Sequence, residues 1–329
     1  MRCKLSDICS YRKGKTEVKR LNNITYISTE NMLPNKGGIT EASSLPSIVL
    51  TQEYRKGDVL VSNIRPYFKK IWQAKYDGGC SNDVLVFTPN PMTDKDFLYY
   101  VLANDEFFLY SMATSKGTKM PRGDKDSIMQ YEIPDIGLDR QRKIASVLKS
   151  LDGKIQLNIA INNNLEQQAQ AIYSRMFIEH RQESWSTGQL SDLISVKYGK
   201  DHKKLADGNY PVYGSGGIIR YVEKPLHTGE SVLIPRKGTL NNVIYVNEAF
   251  WSVDTMFYTE MLHPNIAKFV YHFVKSKDLA SLNAGSAVPS MTTNILNAMQ
   301  LYIPDEKTLK KFENIVSPMY SAMQENTKE

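Results

Sequence analysis

One passage of this chain is written twice. "GTKMP" at 117–121 is followed about ten residues later by "YEIPD", and "GSAVP" at 285–289 is followed after a similar gap by "LYIPD". Repeats of roughly 20–50 residues build solenoids and propellers. A separation this long requires two copies of a domain. Other matches keep the same order. Leu5-Ser6-Asp7-Ile8 returns as Leu190-Ser191-Asp192-Leu193, and Gly14-Lys15 as Gly199-Lys200. "KGDVLVSNIR" (56–65) parallels "TGESVLIPRK" (228–237), each a Gly turn, an acidic residue, an apolar run and a basic exit. Ser81-Asn82-Asp83 before "VLVF" parallels Ser252-Val253-Asp254 before "TMFY", and "FLYYVL" (97–102) parallels "FVYHFV" (269–274). The offset shrinks from 185 at Leu5/Leu190 to 168 at Gly117/Gly285, as expected where loops differ in length. Each copy reads as β-rich runs punctuated by Gly and Pro, then an amphipathic helix, then the Gly-x-x-x-Pro turn. Gly117, Pro121, Gly285 and Pro289 are read as turn formers, and Phe97, Tyr99 and Phe269 as core.

Between the copies, residues 138–180 hold no Pro and one Gly. Ile144, Leu148, Leu151, Ile155, Asn158, Asn162, Leu165, Ala169, Ile172 and Met176 step by four and three without a slip. That is a heptad seam, the pattern of a coiled coil. At about 1.5 Å per residue the helix would be a rod of about 60 Å. Two Asn in the seam fix register at some cost in stability, or else meet a partner subunit. After the second copy, Phe312, Val316, Met319 and Met323 repeat the spacing over a shorter stretch. Pro318 should kink or restart that helix. The expected fold is therefore α/β (α+β): domain 1 at 1–136, a central helical arm at 137–180, domain 2 at 181–304, and a short helical arm at 305–329.

With 41% hydrophobic and 23% charged residues the chain has the composition of a globular protein. No run approaches 18 apolar residues, so no membrane span is read. The first ten residues, "MRCKLSDICS", lack an export signal. Cys3, Cys9 and Cys80 have no metal-ligand spacing and suit a reduced, cytoplasmic setting. The formal charge of +6 permits a polyanionic partner without demanding one.

Catalytic signatures are missing from the reading. "PNP" (89–91) lacks the tandem Pro of an adenine methyltransferase motif. "GSGG" (214–217) follows a strand-like "YPVY" and reads as a tight turn, not a dinucleotide loop. Asp305, Glu306 and Lys307 carry nuclease letters but are contiguous, and read as the acidic first turn of a helix. Five His and three Cys give no zinc spacing.

The order of domain, long heptad helix, domain and second helix resembles the specificity subunit of type I restriction–modification systems. "RQRKIASVLKSLDGKIQLN…NNNLEQQAQAIYSRMF" is similar to the central helix of that family. "YPVYGSGGIIRY" (210–221) and "GDVLVSNIRP" (57–66) are similar to pieces of its target-recognition domains. The resemblance implies a non-catalytic subunit that binds double-stranded DNA and no cofactor. Each domain would read one half of a split target, with the helices as a ruler between the halves. Partners would be two methyltransferase subunits carrying S-adenosylmethionine and endonuclease subunits using ATP and Mg. The short second arm departs from the family pattern and leaves room for self-association through the helical arms. The seam residues Ile144, Leu148, Leu151, Ile155, Asn158, Asn162, Leu165, Ile172, Phe312, Val316, Met319 and Met323 would serve as subunit interface.

Under that reading, DNA contacts fall to basic and amide residues beside turns, because Arg and Lys hold phosphate while Arg, Lys, Asn and Gln read base edges. In domain 1 these are Arg65, Tyr67, Lys69, Lys70, Lys116, Lys119 and Arg122. In domain 2 they are Lys200, Lys203, Lys204, Arg236, Lys237, Asn241 and Asn242. The alternatives are a paired-domain DNA-binding or regulatory module unrelated to restriction, and a fused or degenerate enzyme.

Overall fold

The computed structural model describes residues 2–282 and 290–328, and the chain divides into two compact units, Met1–Ile155 and Gln156–Glu329. Gly285, Pro289 and the "GSAVP" turn lie outside the described residues.

In unit 1 the elements are β1 (Arg2–Lys4), α1 (Leu5–Ile8), β2 (Cys9–Tyr11), β3 (Lys15–Glu17), β4 (Tyr26–Ile27), β5 (Leu50–Tyr54), β6 (Val59–Ser62), β7 (Ile71–Gln73), β8 (Gly78–Cys80), β9 (Val84–Pro89), α2 (Lys95–Ala103), α3 (Asp105–Ala113), α4 (Lys125–Ile128), β10 (Glu132–Pro134) and the start of α5 (Leu138–Tyr173). One sheet runs β2-β9-β6-β7, a second β3-β5-β8-β4, and β1 pairs β10. The apolar run of β6 is buried on both faces, as continuous apolar strands are. Val59 and Val61 join Phe87, Phe97, Leu102 and Phe107, while Leu60 joins Tyr54 and Trp72 on the other side.

Unit 2 takes the rest of α5, then β11 (Ser186–Gln189), β12 (Ile194–Tyr198), β13 (Asp207–Gly214), β14 (Gly217–Val222), β15 (His227–Pro235), β16 (Ile244–Ser252), β17 (Met256–Met261), α6 (Ala267–Lys275), α7 (Thr293–Asn297), β18 (Gln300–Ile303) and α8 (Glu306–Lys328). Its sheet runs β12-β17-β15-β16-β13-β14, and β11 pairs β18. The duplication thus covers a shared frame, with β3, β4, β5, β8 and α3 of unit 1 and β13 and β14 of unit 2 lying outside it. β2-β9-β6-β7 matches β12-β17-β15-β16, the β1·β10 clasp matches β11·β18, and α2, α4 and α5 match α6, α7 and α8. Small devices recur as well. Asp7 accepts the Lys4 amide at 2.8 Å and Asp192 the Gln189 amide at 2.7 Å. Gly57 and Gly229 both sit at positive φ, 97° and 108°, where a side chain would be strained.

At one place the correspondence differs from the sequence alignment by a residue. Ser62 pairs with Val84 and Pro235 with Met256. The turn bonds Val84 N to Ser81 O and Met256 N to Val253 O, each at 3.0 Å, match Ser81 to Val253, not to Ser252. A short apolar run contains nothing that marks its own register; the turn does.

"GSGG" is a hairpin turn in which Gly214 faces Gly217. Asp305 caps α8 by accepting the Thr308 amide at 2.9 Å.

The two halves of α5 behave differently. Beyond the unit boundary its seam packs antiparallel to α8. Asn162 donates to Met323 O at 3.2 Å and accepts from Asn326 Nδ2 at 2.8 Å, and Asn158 donates to Asn326 O at 3.3 Å. The seam asparagines therefore meet the chain's own second arm. Ala169, Tyr173 and Phe177 are buried with Phe312 and Val316, and Ile172, Met176 and Met319 pack at the margin. Leu165 is half-buried and Met323 lies partly covered beside Asn162. A π-turn at Ser174–Glu179 closes the helix and turns Phe177 into this core.

Within unit 1 the predicted seam is turned away. Ile144, Leu151 and Ile155 are exposed, at 38%, 54% and 49%, while Gln141 and Ala145 are buried and Leu148 half-buried. Gln141 accepts the Asp94 amide and donates to Ile136 O, both at 2.9 Å, and Asp152 accepts from the Tyr100 hydroxyl at 2.8 Å. Nor does Pro318 break α8, which runs unbroken from Glu306 to Lys328. Proline removes only one backbone donor there, and Phe312, Val316 and Met319 hold the helix by packing on both sides of it.

α6 buries the side chains of Lys268 and His272. His272 accepts no solvent and lies between Gln170 Oε1 at 2.8 Å and the Tyr320 hydroxyl at 2.9 Å. Burial holds its pKa down, at about 4, against an opposing pull from Glu166. An unfolded His takes up its proton near pH 6.5, so the unfolded chain binds more protons than the folded one between those values. Stability from this group is complete above pH 6.5 and is lost as pH falls toward 4, by about 3 kcal/mol. Urea unfolding followed on unit 2 should show that decline, and His272→Gln should flatten it. Equal steepness in the variant would assign the acid sensitivity to the carboxylates instead.

Candidate nucleic-acid interface

The basic clusters gather where β6 leaves its sheet. Three loops meet there. Asn63 N bonds Asp83 O at 2.8 Å, Arg65 N bonds Pro121 O at 2.8 Å, and Gly123 N bonds Asn63 O at 3.2 Å, which docks the 116–123 loop on the β6 exit. The 116–123 loop closes on itself through reciprocal bonds between Lys116 and Arg122 at 2.9 and 3.0 Å, with Gly117 at φ 91°. The third loop was not singled out from sequence: Asn35 N bonds Phe68 O at 2.8 Å and Lys36 N bonds Lys69 O at 2.9 Å. Its one sequence signal is Asn35 before "KGG", since Asn and Gly tolerate left-handed backbone. The loops 33–38, 63–70 and 116–123 carry seven basic residues and no acidic one.

Acidic groups from neighbouring elements orient these cations. Asp105 meets Lys36 at 2.8 Å and Lys69 at 2.9 Å, Asp124 meets Lys116 at 2.5 Å, and Asp83 meets Arg122 at 3.2 Å. The hydrogen bonds from Lys36 and Lys69 lower the Asp105 pKa to about 2. Lys70 donates to Thr29 O at 2.6 Å, and burial lowers its pKa. Lys119 is exposed at the loop tip. Exposed pairs of this kind contribute little because water screens them, so a phosphate can take the place of the carboxylate at little cost. Tyr67 and Phe68 project beside them, 49% and 38% exposed.

In unit 2 the cluster stands at the same point of the frame, the exit of β15. Arg236 N bonds Thr255 O and Met291 N bonds Arg236 O, both at 2.9 Å, as Asn63 does with Asp83 and Gly123. The Arg236 guanidinium lies over the Tyr198 ring at 5.3 Å. Lys237 is exposed, and so are Lys203 and Lys204 on the loop after β12. That loop is anchored by Lys200, whose amide bonds Ser252 O at 2.8 Å and whose carbonyl accepts from Trp251 Nε1 at 2.8 Å. Gly199 is required beside it, because a Cβ there would lie 2.0 Å from Val253 O. Asn241 and Asn242 hold the loop internally. Asn241 donates to Asp278 at 3.0 Å and accepts the Ala280 amide at 3.0 Å, and Asn242 donates to Ser215 O at 2.5 Å. Their amides brace the loop while both residues stay exposed beside Lys237, and Arg236 is half-buried.

Asn63 Oδ1, Arg65 Nε, His202 Nδ1 and Ser252 Oγ are buried with no partner among the described residues. Such groups are rare in folded proteins, and these four fall in or against the two loop clusters. Among the described residues no three His, Cys, Asp or Glu side chains are grouped to hold a metal, and no helix is long and apolar enough to cross a membrane. Burial raises the Cys9 and Cys80 thiols to about 12, so neither is a ready nucleophile.

Two copies of one α/β frame, each followed by a helix and each presenting a different basic loop cluster at the same strand exit, define a duplicated recognition scaffold. The profile described as "Type I restriction modification DNA specificity domain" matches residues 1–167 and 182–329, and the chain belongs to that family. It is 29% identical over 203 residues to the type I restriction enzyme HindI specificity subunit of Haemophilus influenzae, a match covering 59% of this chain and 44% of the relative. It is 18% identical over 277 residues to the MjaIX specificity subunit of Methanocaldococcus jannaschii, covering 71% and 64%. The chain thus spans about half the length of the curated relatives it matches. Its fold is similar to the crystal structure of a type I restriction–modification S subunit from M. genitalium, with a TM-score of 0.60 at 17% identity, covering 100% of this chain and 91% of that one.

Proposed function

We propose that this chain is the non-catalytic DNA specificity subunit of a type I restriction–modification complex, each unit reading one half of a split duplex target. The observation that carries the reading is the basic loop cluster found at equivalent strand exits of both units with unrelated side chains on it. A shared scaffold with divergent surfaces is what two unlike half-sequences require. Methyltransferase subunits with S-adenosylmethionine, and endonuclease subunits with ATP and Mg, are the expected partners. The exposed stripe of Ile144, Leu151 and Ile155 offers them, or a second copy of this chain, an apolar surface. A cytoplasmic location follows from that role.

Co-expression with a methyltransferase subunit should yield DNA methylation at a bipartite sequence, absent when this chain is left out. Methylation that is independent of it would overturn the reading. Within the assembled complex, Lys203→Glu with Lys204→Glu should weaken binding to every duplex tested and reduce the dependence of log K on log salt by about two, one per phosphate contact. Unchanged binding across a salt series would make that pair an ordinary solvated surface.

A further inference from the structure

We propose that the Tyr67–Phe68 tip of unit 1 is a stacking element, seating its rings at a base step of the bound duplex and partly separating the two base pairs. The proposal rests on the DNA-reading function above and adds a contact of another kind to the phosphate and base-edge contacts of the lysines.

Three observations converge. First, the rings are exposed as a pair, 49% and 38%, with centroids 4.7 Å apart and planes tilted by 51°. Second, the backbone beneath them is fixed. Five non-Gly residues among those described have positive φ, and Asn35, Lys36, Arg65 and Lys69 are four of them. Each such conformation costs energy and persists only where its surroundings enforce it. Here they do: Arg65 N is held by Pro121 O, and the carbonyls of Phe68 and Lys69 by the amides of Asn35 and Lys36. The tip is presented ready-made, so little chain entropy is lost when it docks. Third, the loops around it are basic without an acidic residue, and Lys70 Nζ lies 5.8 Å from the Phe68 ring. An apolar wedge rimmed by cations suits a duplex, where inserted aromatic or aliphatic side chains unstack a step and bend the helix. The equivalent segment of unit 2, Pro235 to Asn242, contains no aromatic residue. The device therefore belongs to one half of the target.

The assembled complex would be titrated onto a fluorescent duplex carrying its methylated sequence, at several salt concentrations, with dyes at the two ends to report bending. Tyr67→Ala with Phe68→Ala should bind roughly 5- to 150-fold more weakly, with an unchanged salt slope and reduced bending. Tyr67→Phe, which keeps the ring, should recover most of the affinity and bending lost in the double alanine variant. A fall in slope alongside affinity would reassign the tip to phosphate positioning, and unchanged affinity and bending would remove it from the interface. Loss of co-elution with the methyltransferase subunit would make it a protein-docking patch. Each of these outcomes overturns stacking while wild-type binding stands. Absence of wild-type binding at any salt would instead bring down the DNA-reading function itself.

Discussion

Phe312→Ala should lower the stability of unit 2 by about 3–5 kcal/mol, the range for truncating a fully buried phenylalanine. Phe312 has no solvent exposure and stands at the junction of three helices. Its ring lies 5.1 Å from Phe177 and 6.2 Å from Tyr173 at the end of α5, and 5.9 Å from His272 on α6. Removing it leaves a cavity that three helices would have to close at once, and aromatic rings on all sides resist that collapse. In a body of this size each kcal/mol moves the melting midpoint by roughly 2–4 °C, so the unit 2 transition should fall by about 6–20 °C. Hydrogen exchange on the intact chain would localise the effect. Amides of α8 should lose protection while those of β6 in unit 1 keep theirs. Met323→Ala, on the same helix at a partly covered position, should cost far less. Similar losses at the two sites would mean that α8 is held by its length, not by this junction.

Seven residues of good helix-forming sequence inserted after Ile155 should change which DNA is modified. α5 is continuous from Leu138 to Tyr173, and one heptad adds about 10.5 Å of helix while keeping its seam in phase. At about 3.4 Å per base pair this lengthens the connection by about 3 bp. The expected methylated target keeps both half-sequences and gains a correspondingly longer gap, and the original sites go unmodified. Ile155 suits the insertion better than Asn158, because Asn158 bonds the second arm. A methylome with altered half-sequences and an unchanged gap would sink the ruler idea. Replacing the 116–123 loop in an otherwise native chain should do the reverse and alter one half-sequence alone.

The duplication was legible because the frame depends on residues with few substitutes: glycines at positive φ, capping aspartates and doubly buried strands. Register at the strand exits was not, since apolar runs slide freely in a sequence alignment. The helix seam was legible only where it packs on apolar partners. On unit 1, α5 is held by Ala145 and by hydrogen bonds of Gln141 and Asp152, which a search for hydrophobic periodicity passes over. The heptad residues Ile144 and Leu151 consequently pointed to a face that the unit does not use. For the loops, sequence located the basic clusters, but it could not tell that the amides of Asn241 and Asn242 are engaged by Asp278, Ala280 and Ser215. An amide's partner is set by whatever tertiary structure places beside it. The 33–38 loop was missed for the same reason, since its direct hydrogen bonds to the tip run from the Asn35 and Lys36 amides to backbone carbonyls.

The paired strands that open and close each unit bear on how such a chain can change over generations. β1 lies beside β10, and β11 beside β18, in antiparallel register. Polypeptide therefore enters and leaves each body at one point, directly before the helix that follows it. A body whose ends meet can be exchanged whole for another with the same ends, with the one condition in unit 2 that the incoming α6 still packs on Phe312. New specificity can then arise by replacing a cassette in a single genetic event, without the chain having to pass through intermediates that do not fold.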